Sequence, residues 1–271
     1  MSTAGNVERY IKRLSLRLSF CRYGYSGDYS HWSGALASCS GYDAAIILEK
    51  VKESLLKVKA SAAVYERDSG LFDTIQYSWP LLAGLLRAAS TNNNRLSVLD
   101  FGGSLGSSYY QNKDFLSVLD DLRWCVVEQK HFVECGKQYF EDENLRFYYD
   151  IPSCLAEGKI NVVILSSVLP YLRKPYELLD AILDCGIEYI IVDRTPILLS
   201  ESRDRLTVQK IPPHIYEASY PAWIFNRERF LSSFRNNYSL VAGFNALAAK
   251  IKIKSPTSLA MDEGFIFIRR K

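Results

Sequence analysis

From Leu96 to Asp193 the chain repeats one pattern: a short apolar run, then a stretch with helical spacing. The runs are "LSVLDF", "LRWCVVE", "NLRFYY", "INVVILSSV" and "IEYIIVD"; between them lie "SSYYQNKDFLSVL", "FVECGKQYF" and "PYELLDAIL". A strand with one face in water alternates apolar and polar residues. These runs do not alternate, so both faces must be covered, and the intervening helices are what covers them. The pattern predicts an α/β, doubly wound, Rossmann-like sheet. Two later runs, "YSLVAGF" and "GFIFIRR", bring the count to seven strands. Too little chain separates these two for a crossover helix, so they are expected to pair antiparallel.

The first 95 residues read differently. "AAIILEKVKESLLKVKASAAVYER" places Ile47, Val51, Leu55 and Val58 at helical spacing, and "FDTIQYSWPLLAGLLRAAS" predicts a second helix with Pro80 at a kink or restart. The expected division is a helical N-terminal cap or lid over 1–95 and a core over 96–271. Within the core, a proline-rich insertion at about 194–226 is expected to build the acceptor site. A 48% hydrophobic fraction is enough for an ordinary core. The net charge of only +3, without a clustered basic face, argues against a nucleic-acid partner.

The six cysteines form no C-x-x-C pair and have no histidine at ligand spacing, so neither a metal site nor a disulfide framework is expected. With no secretory leader, reduced thiols and a cytoplasmic location follow. No run approaches the roughly 18 apolar residues of a membrane span. One local asymmetry is "ERYIKRLSLRLSFCR", Glu8 to Arg22, where five basic residues oppose one acid. It reads as an amphipathic helix packed on its own domain, with peripheral contact to anionic lipid as the alternative.

Behind the first strand stands "VLDFGGSLGSSYY", with three glycines in five positions after an aspartate. In a doubly wound sheet this strand-to-helix turn lies where ligands bind. Gly102 and Gly103 permit positive φ and a close backbone approach, and Gly106 lets the helix begin tightly. A dinucleotide fingerprint needs glycines spaced G-x-G-x-x-G, which 102, 103 and 106 do not match. A nucleotide-dependent dehydrogenase is therefore the weaker reading. Asp100 would suit a ligand carrying an ammonium and a sulfonium better than a pyrophosphate.

"VLDFGGSLG" resembles motif I of the class I S-adenosylmethionine-dependent methyltransferases, apolar-apolar-D/E-x-G-x-G-x-G. Asp100, Gly102 and Gly106 fall on motif positions, Ser104 stands where the middle glycine belongs, and Gly103 lies at a variable one. The resemblance implies S-adenosylmethionine as cofactor. It makes Glu128, ending "RWCVVE", the ribose ligand, and sets Asp150 near the adenine. In "VVILSSVLPYL", Ser166 and Ser167 correspond to groups at the methionyl end, and Tyr171 to an aromatic beside the sulfonium. More narrowly, "YGYSGDYSHWSGALASCSGYDAAIILEKV" resembles the lead-in of a methyltransferase family associated with bacterial surface-polysaccharide gene clusters. That likeness runs from about Tyr23 to the end. It implies a small polar acceptor, such as a nucleotide- or lipid-linked sugar of a polysaccharide precursor, methylated on a hydroxyl or amine.

Candidates for the acceptor side come from the insertion. His214 is a candidate base, with Pro212, Pro213, Tyr216, Tyr220 and Trp223 as a stiff aromatic wall. Asp193, at the tip of "YIIVD", is a rival base that Arg194 could tie down as an ion pair. Tyr25, His31 and Trp32, with Asp28 and Tyr29, are candidates for a lid that excludes water. The competing functional reading is a non-catalytic binding or assembly module that keeps the fold.

Overall fold

The computed structural model describes residues 23–40, 44–212 and 218–271. The basic stretch Glu8–Arg22 lies outside the described residues, as do His214 and Tyr216. The chain opens with strand β1 (Gly24–Tyr29) and helices α1 (Trp32–Ala37) and α2 (Ala44–Lys59). A hairpin of β2 (Tyr65–Arg67) and β3 (Gly70–Phe72) then leads to helix α3 (Trp79–Ser90). The alternating region follows: β4 (Arg95–Phe101), α4 (Ser107–Leu116), β5 (Asp121–Val127), α5 (Lys130–Tyr139), β6 (Leu145–Tyr148) and α6 (Ile151–Ala156). It continues with β7 (Val162–Ser166), a 3-10 turn (Leu169–Tyr171), α7 (Pro175–Asp184) and β8 (Tyr189–Leu198). Strands β9 (Arg205–Lys210) and β10 (Ser219–Asn226), helix α8 (Arg227–Ser232), and strands β11 (Tyr238–Ile253) and β12 (Ser258–Arg269) complete it.

Seven of these strands form the expected doubly wound sheet, in the order β6-β5-β4-β7-β8-β12-β11. The pairs from β6 to β8 are parallel, and β12 runs antiparallel to both of its neighbours. Side chains leave each strand alternately to two apolar layers. One layer joins Val98, Val126 and Ile164 to Leu55 of α2, Leu85 of α3, Tyr110 of α4 and Val133 of α5. The other joins Leu99, Val127 and Leu165 to Cys154 of α6, Leu179 of α7 and Phe230 of α8. Helices α2 and α3, read from the sequence as part of a cap, thus belong to a layer covering the sheet. Pro80 makes no kink: it sits in the first turn of α3, where a missing N–H breaks no helical bond.

The insertion is not irregular. Strand β8 is ten residues long, and β7 pairs only with its first half, Tyr189 to Asp193. Beyond that point β10 pairs with Ile197 and Leu198, β9 pairs with β10, and β1 pairs with β9. On the other edge, β12 follows β8 to Leu198 and β11 follows β12 to Ser258. A bridge from Ser26 to Lys254, with Gly27 N donating to Lys254 O at 2.9 Å, joins β1 back to β11. The pairings therefore close a ring of six strands, β1-β9-β10-β8-β12-β11. Leu198, Ile224, Ile253 and Ala260 fill its interior. Outside it, α1 packs on Leu206 and Val208.

Arg205 ties the ring together from within. Its side chain is 1% exposed and donates to Gly27 O at 2.9 Å, Pro256 O at 2.6 Å and the Glu201 carboxylate at 3.0 Å. Removing the guanidinium would take the donor from part-buried carbonyls of two segments distant in sequence and leave Glu201 without its ion-pair partner. Arg205→Met is expected to lower the unfolding free energy in urea by about 3 kcal/mol; a loss below about 1 kcal/mol would show that the ring closes without it.

Candidate functional site

The strand order reverses between β4 and β7, and the carboxyl ends of the parallel strands there form one rim. Asp100 lies level with Val126 and Ile164, and Ser166 lies level with Asp193. The glycine turn rises from this rim. Gly102 has φ +70°, and Val168 fills the space that a Cβ would need. Gly106 caps α4 with φ +94°. Three residues with side chains also adopt positive φ on the rim: Ser104 at 55°, Ser167 at 56° and Arg194 at 48°. Each costs about 1–2 kcal/mol. Their grouping marks a place where backbone position outweighs local stability.

Asp100 sits beneath the loop. It is 1% exposed, accepts the Trp124 indole N–H at 3.1 Å, and would lie 2.6 Å from a Cβ added at Gly103. Burial raises its pKa to about 7; the Trp124 hydrogen bond opposes the rise and the Glu128 charge adds to it. The carboxylate read from the sequence as facing a ligand thus acts on the open side only through the loop above it. Glu128 is more open. Burial raises its pKa, while the amides of Gln129, at 2.7 Å, and Ser104 favour its charged form. It joins the tip of β5 to the glycine turn. Asp150 instead caps α6, accepting from Ser153 N at 2.7 Å; hydrogen bonding from the Ser153 hydroxyl, and then from its amide, holds its pKa below the usual carboxylate range. It also borders an apolar cleft of about 510 Å³ lined by Phe101, Val127, Ile151, Pro152 and Leu155.

On the opposite face of the rim lies a polar pocket of about 30 Å³. Ser107 and Ser108 at the start of α4, Ser166 at the end of β7, and Asp193 and Arg194 from β8 line it. Asp193 is 3% exposed, and its Oδ1 has no hydrogen-bond partner. Arg194 does not pair with Asp193 as expected. Its guanidinium reaches Ser166 Oγ and Asp68 Oδ2, both at 3.3 Å. The β2–β3 hairpin closes this side: Glu66, 2% exposed, accepts from Ser107 Oγ at 2.6 Å, and Tyr65 OH accepts from Gln111 Nε2 at 2.9 Å. The covering element is this hairpin.

The candidate lid residues lie on β1 and α1. Trp32 packs with α1 against Leu206 and Val208, His31 is exposed at the start of α1, and Tyr25 belongs to β1 beside the ring's interior. Trp223 faces the outside of the ring, its buried Nε1 without a partner. Tyr171 turns to the ring, donating to Gln209 Oε1 at 2.9 Å with its ring perpendicular to that of Tyr220 at 5.1 Å. The sequence reading missed Glu66, Asp68 and Asp262. Only Asp262 left a signal, as an acid breaking the apolar character of its strand.

No family model matches the chain, and no curated protein matches it. Among solved structures, the N-terminal domain of EvdMO1 with S-adenosylhomocysteine bound is similar at 12% identity, covering 84% of this chain and 98% of that one, with a TM-score of 0.44. Magnesium protoporphyrin IX methyltransferase (ChlM) from Synechocystis PCC 6803, with S-adenosylmethionine bound, gives 12%, 85% and 99%, and 0.44. CalS10, an amino pentose methyltransferase from Micromonospora echinaspora, gives 11%, 72% and 92%, and 0.42. Likeness of this degree assigns neither a family nor an activity to the chain.

Asp100 supplies a test of the rim's electrostatics. Its folded pKa of about 7 lies above the ordinary 3.8, so between those values the folded state holds a proton that the unfolded state has lost. Its contribution to stability therefore declines as pH rises from about 4 to about 7 and is flat beyond. Asp100→Asn removes this decline. Thermal unfolding at about pH 5 and pH 8 is expected to show wild type losing more stability than the variant over that interval. Parallel losses would contradict the buried carboxyl.

Proposed function

We propose that the rim binds S-adenosylmethionine and that the protein transfers its methyl group to a small polar acceptor. The observation that carries this reading is the arrangement about the glycine turn: Glu128 on one side, and on the other a pocket holding both an unpartnered carboxylate oxygen and a guanidinium. An α-amino acid head bears an ammonium and a carboxylate, and the pocket offers a complement to each. Asp193 Oδ1 is the partner for the ammonium. Arg194 and the hydroxyl of Ser108 suit the carboxylate, at the start of a ten-residue helix whose first-turn amides favour negative charge.

In this reading Glu128 receives the ribose hydroxyls, releasing the Ser104 amide that it now holds. Gly102, Gly103, Ser104 and Gly106 let the backbone pass close to the ligand. Ser166 and Ser167 border the amino-acid end, and the cleft beside Asp150 and Phe101 takes the adenine. When bound, the cofactor supplies an electrophilic methyl on a cationic sulfur. The chain's own task is to fix the acceptor atom in line with that methyl and to keep water out. Burial of Asp193 in the pocket favours a holding role for it over that of a base. His214, in the chain between β9 and β10, stays the proposed base for a hydroxyl acceptor. The proposed acceptor is a sugar or similar polar molecule, and the free thiols Cys39, Cys125, Cys135, Cys154 and Cys185 suit a reducing cytoplasm. Among the described residues no helix is long and apolar enough to cross a membrane.

Calorimetric titration tests the reading. S-adenosylhomocysteine is expected to bind wild type, Glu128→Ala to weaken it by about tenfold or more, and NAD to give no heat. Binding of NAD with no response to the sulfur compounds would overturn it.

A further inference from the structure

The strand ring brings a second group of residues to the rim. Register places Tyr25 of β1, Gln209 of β9 and Tyr220 of β10 abreast at one end of the ring. Tyr171 reaches across from the 3-10 turn, bonded to Gln209 at 2.9 Å, with its ring 5.1 Å from that of Tyr220 and perpendicular to it. Its hydroxyl also lies within hydrogen-bonding reach of Tyr25. From the other wall comes Asp262, registered with Pro196 of β8. It is two residues from Ala260, which faces the ring's interior, so its side chain leaves the strand on the same side. Glu263 points the other way, to Arg227 at 3.1 Å. Tyr25, Tyr171, Gln209, Tyr220 and Asp262 are all half-buried, whereas the level below is shut by Leu198, Ile224, Ile253 and Ala260. The described residues at this end of the ring are thus polar, above an apolar interior.

Among the described residues the charge at this end is unbalanced. Arg194, the cation acting on Asp262, is engaged by Asp68 at 3.3 Å. Among the described residues Asp262 forms no ion pair; the neighbouring Asp193, with its unpartnered Oδ1, is the group assigned above to the cofactor's ammonium. Burial raises the pKa of Asp262 to about 6, the Asp193 charge adds to the rise, and Arg194 opposes it. Near pH 8 the group is therefore ionised. Perpendicular tyrosine rings beside a carboxylate present two attractive surfaces to one cation. A neutral hydroxyl would leave that carboxylate uncompensated.

We propose that this end of the ring is a binding site for an ammonium-bearing ligand, caged by Tyr25, Tyr171 and Tyr220 and paired with Asp262. That the bound amine is the methyl acceptor rests on the function proposed above: its ammonium first gives a proton to solvent, and the freed lone pair then takes the methyl as the sulfonium leaves as a neutral thioether. The binding itself does not rest on it. The site narrows the acceptor from any polar molecule to a primary or secondary amine.

Two small probes of matched shape separate charge from size: ethanolamine and ethylene glycol, added near pH 8 to protein labelled with ¹³C in its tyrosine rings. Ethanolamine is expected to shift the Tyr171 and Tyr220 signals saturably, and ethylene glycol to bind at least about tenfold more weakly. Asp262→Asn is expected to weaken ethanolamine by about tenfold, and Tyr220→Leu by about threefold, with S-adenosylhomocysteine affinity unchanged in both. Thermal unfolding checks that each variant is folded; if Asp262→Asn is not, Tyr220→Leu carries the comparison. Equal response to the two probes, or full ethanolamine affinity in the folded variants, overturns the proposal. Ethanolamine binding to a protein that ignores S-adenosylhomocysteine would uphold this site and sink the cofactor reading.

Discussion

The structure turns on the length of β8. A ten-residue strand beside a five-residue neighbour leaves half of its backbone without a partner on that edge, and buried peptide groups must be paired. The chain meets this demand with β10, and β10 in turn carries β9 and β1 round to β11. The strand passes from one set of neighbours to the other at Asp193 and Arg194, and φ is positive at Arg194. The polar side chains at this crossing therefore belong at once to the crevice of the doubly wound sheet and to the mouth of the ring. One strand sets the spacing between two sites.

Charge follows from the same geometry. Asp100, Glu128, Asp193 and Asp262 all reach one rim, and for each the largest effect is burial, which raises the pKa. Carboxylates drawn from water resist ionisation unless a cation joins them. The guanidinium of Arg194 is the shared counter-charge for Asp100, Asp193 and Asp262, and Asp68 competes for it. Such a rim is less stable alone than with a positive ligand. This is the electrostatic logic that an ammonium, a sulfonium, or both would satisfy.

Much of the sheet was legible because both-face burial writes itself into consecutive residues. "VVILS" and "YIIVD" need no alignment to be read as strands inside two layers. The rim residues Glu128, Ser166 and Asp193 were legible too, since parallel strands end together. The ring was not. Strand β9, "RLTVQK", alternates outward Leu206 and Val208 with inward Arg205, Thr207 and Gln209, and inward polar residues hide a strand from a search for apolar runs. The placement of Tyr25 and Trp32 was illegible for a related reason: aromatic side chains in a glycine-rich lead-in give no hint that β1 is the closing member of a ring. Glu66 and Asp68 stand in a hairpin of two three-residue strands, too short for periodicity, and reach the site only through tertiary contacts.

A crystal structure of the protein grown with S-adenosylhomocysteine examines the central claim most directly. The account expects the ribose against Glu128 and the amino-acid end beside Asp193 and Arg194, with the glycine turn between. Ligand density at another edge of the sheet, or a rim that stays closed by its own side chains at saturating ligand, would contradict it.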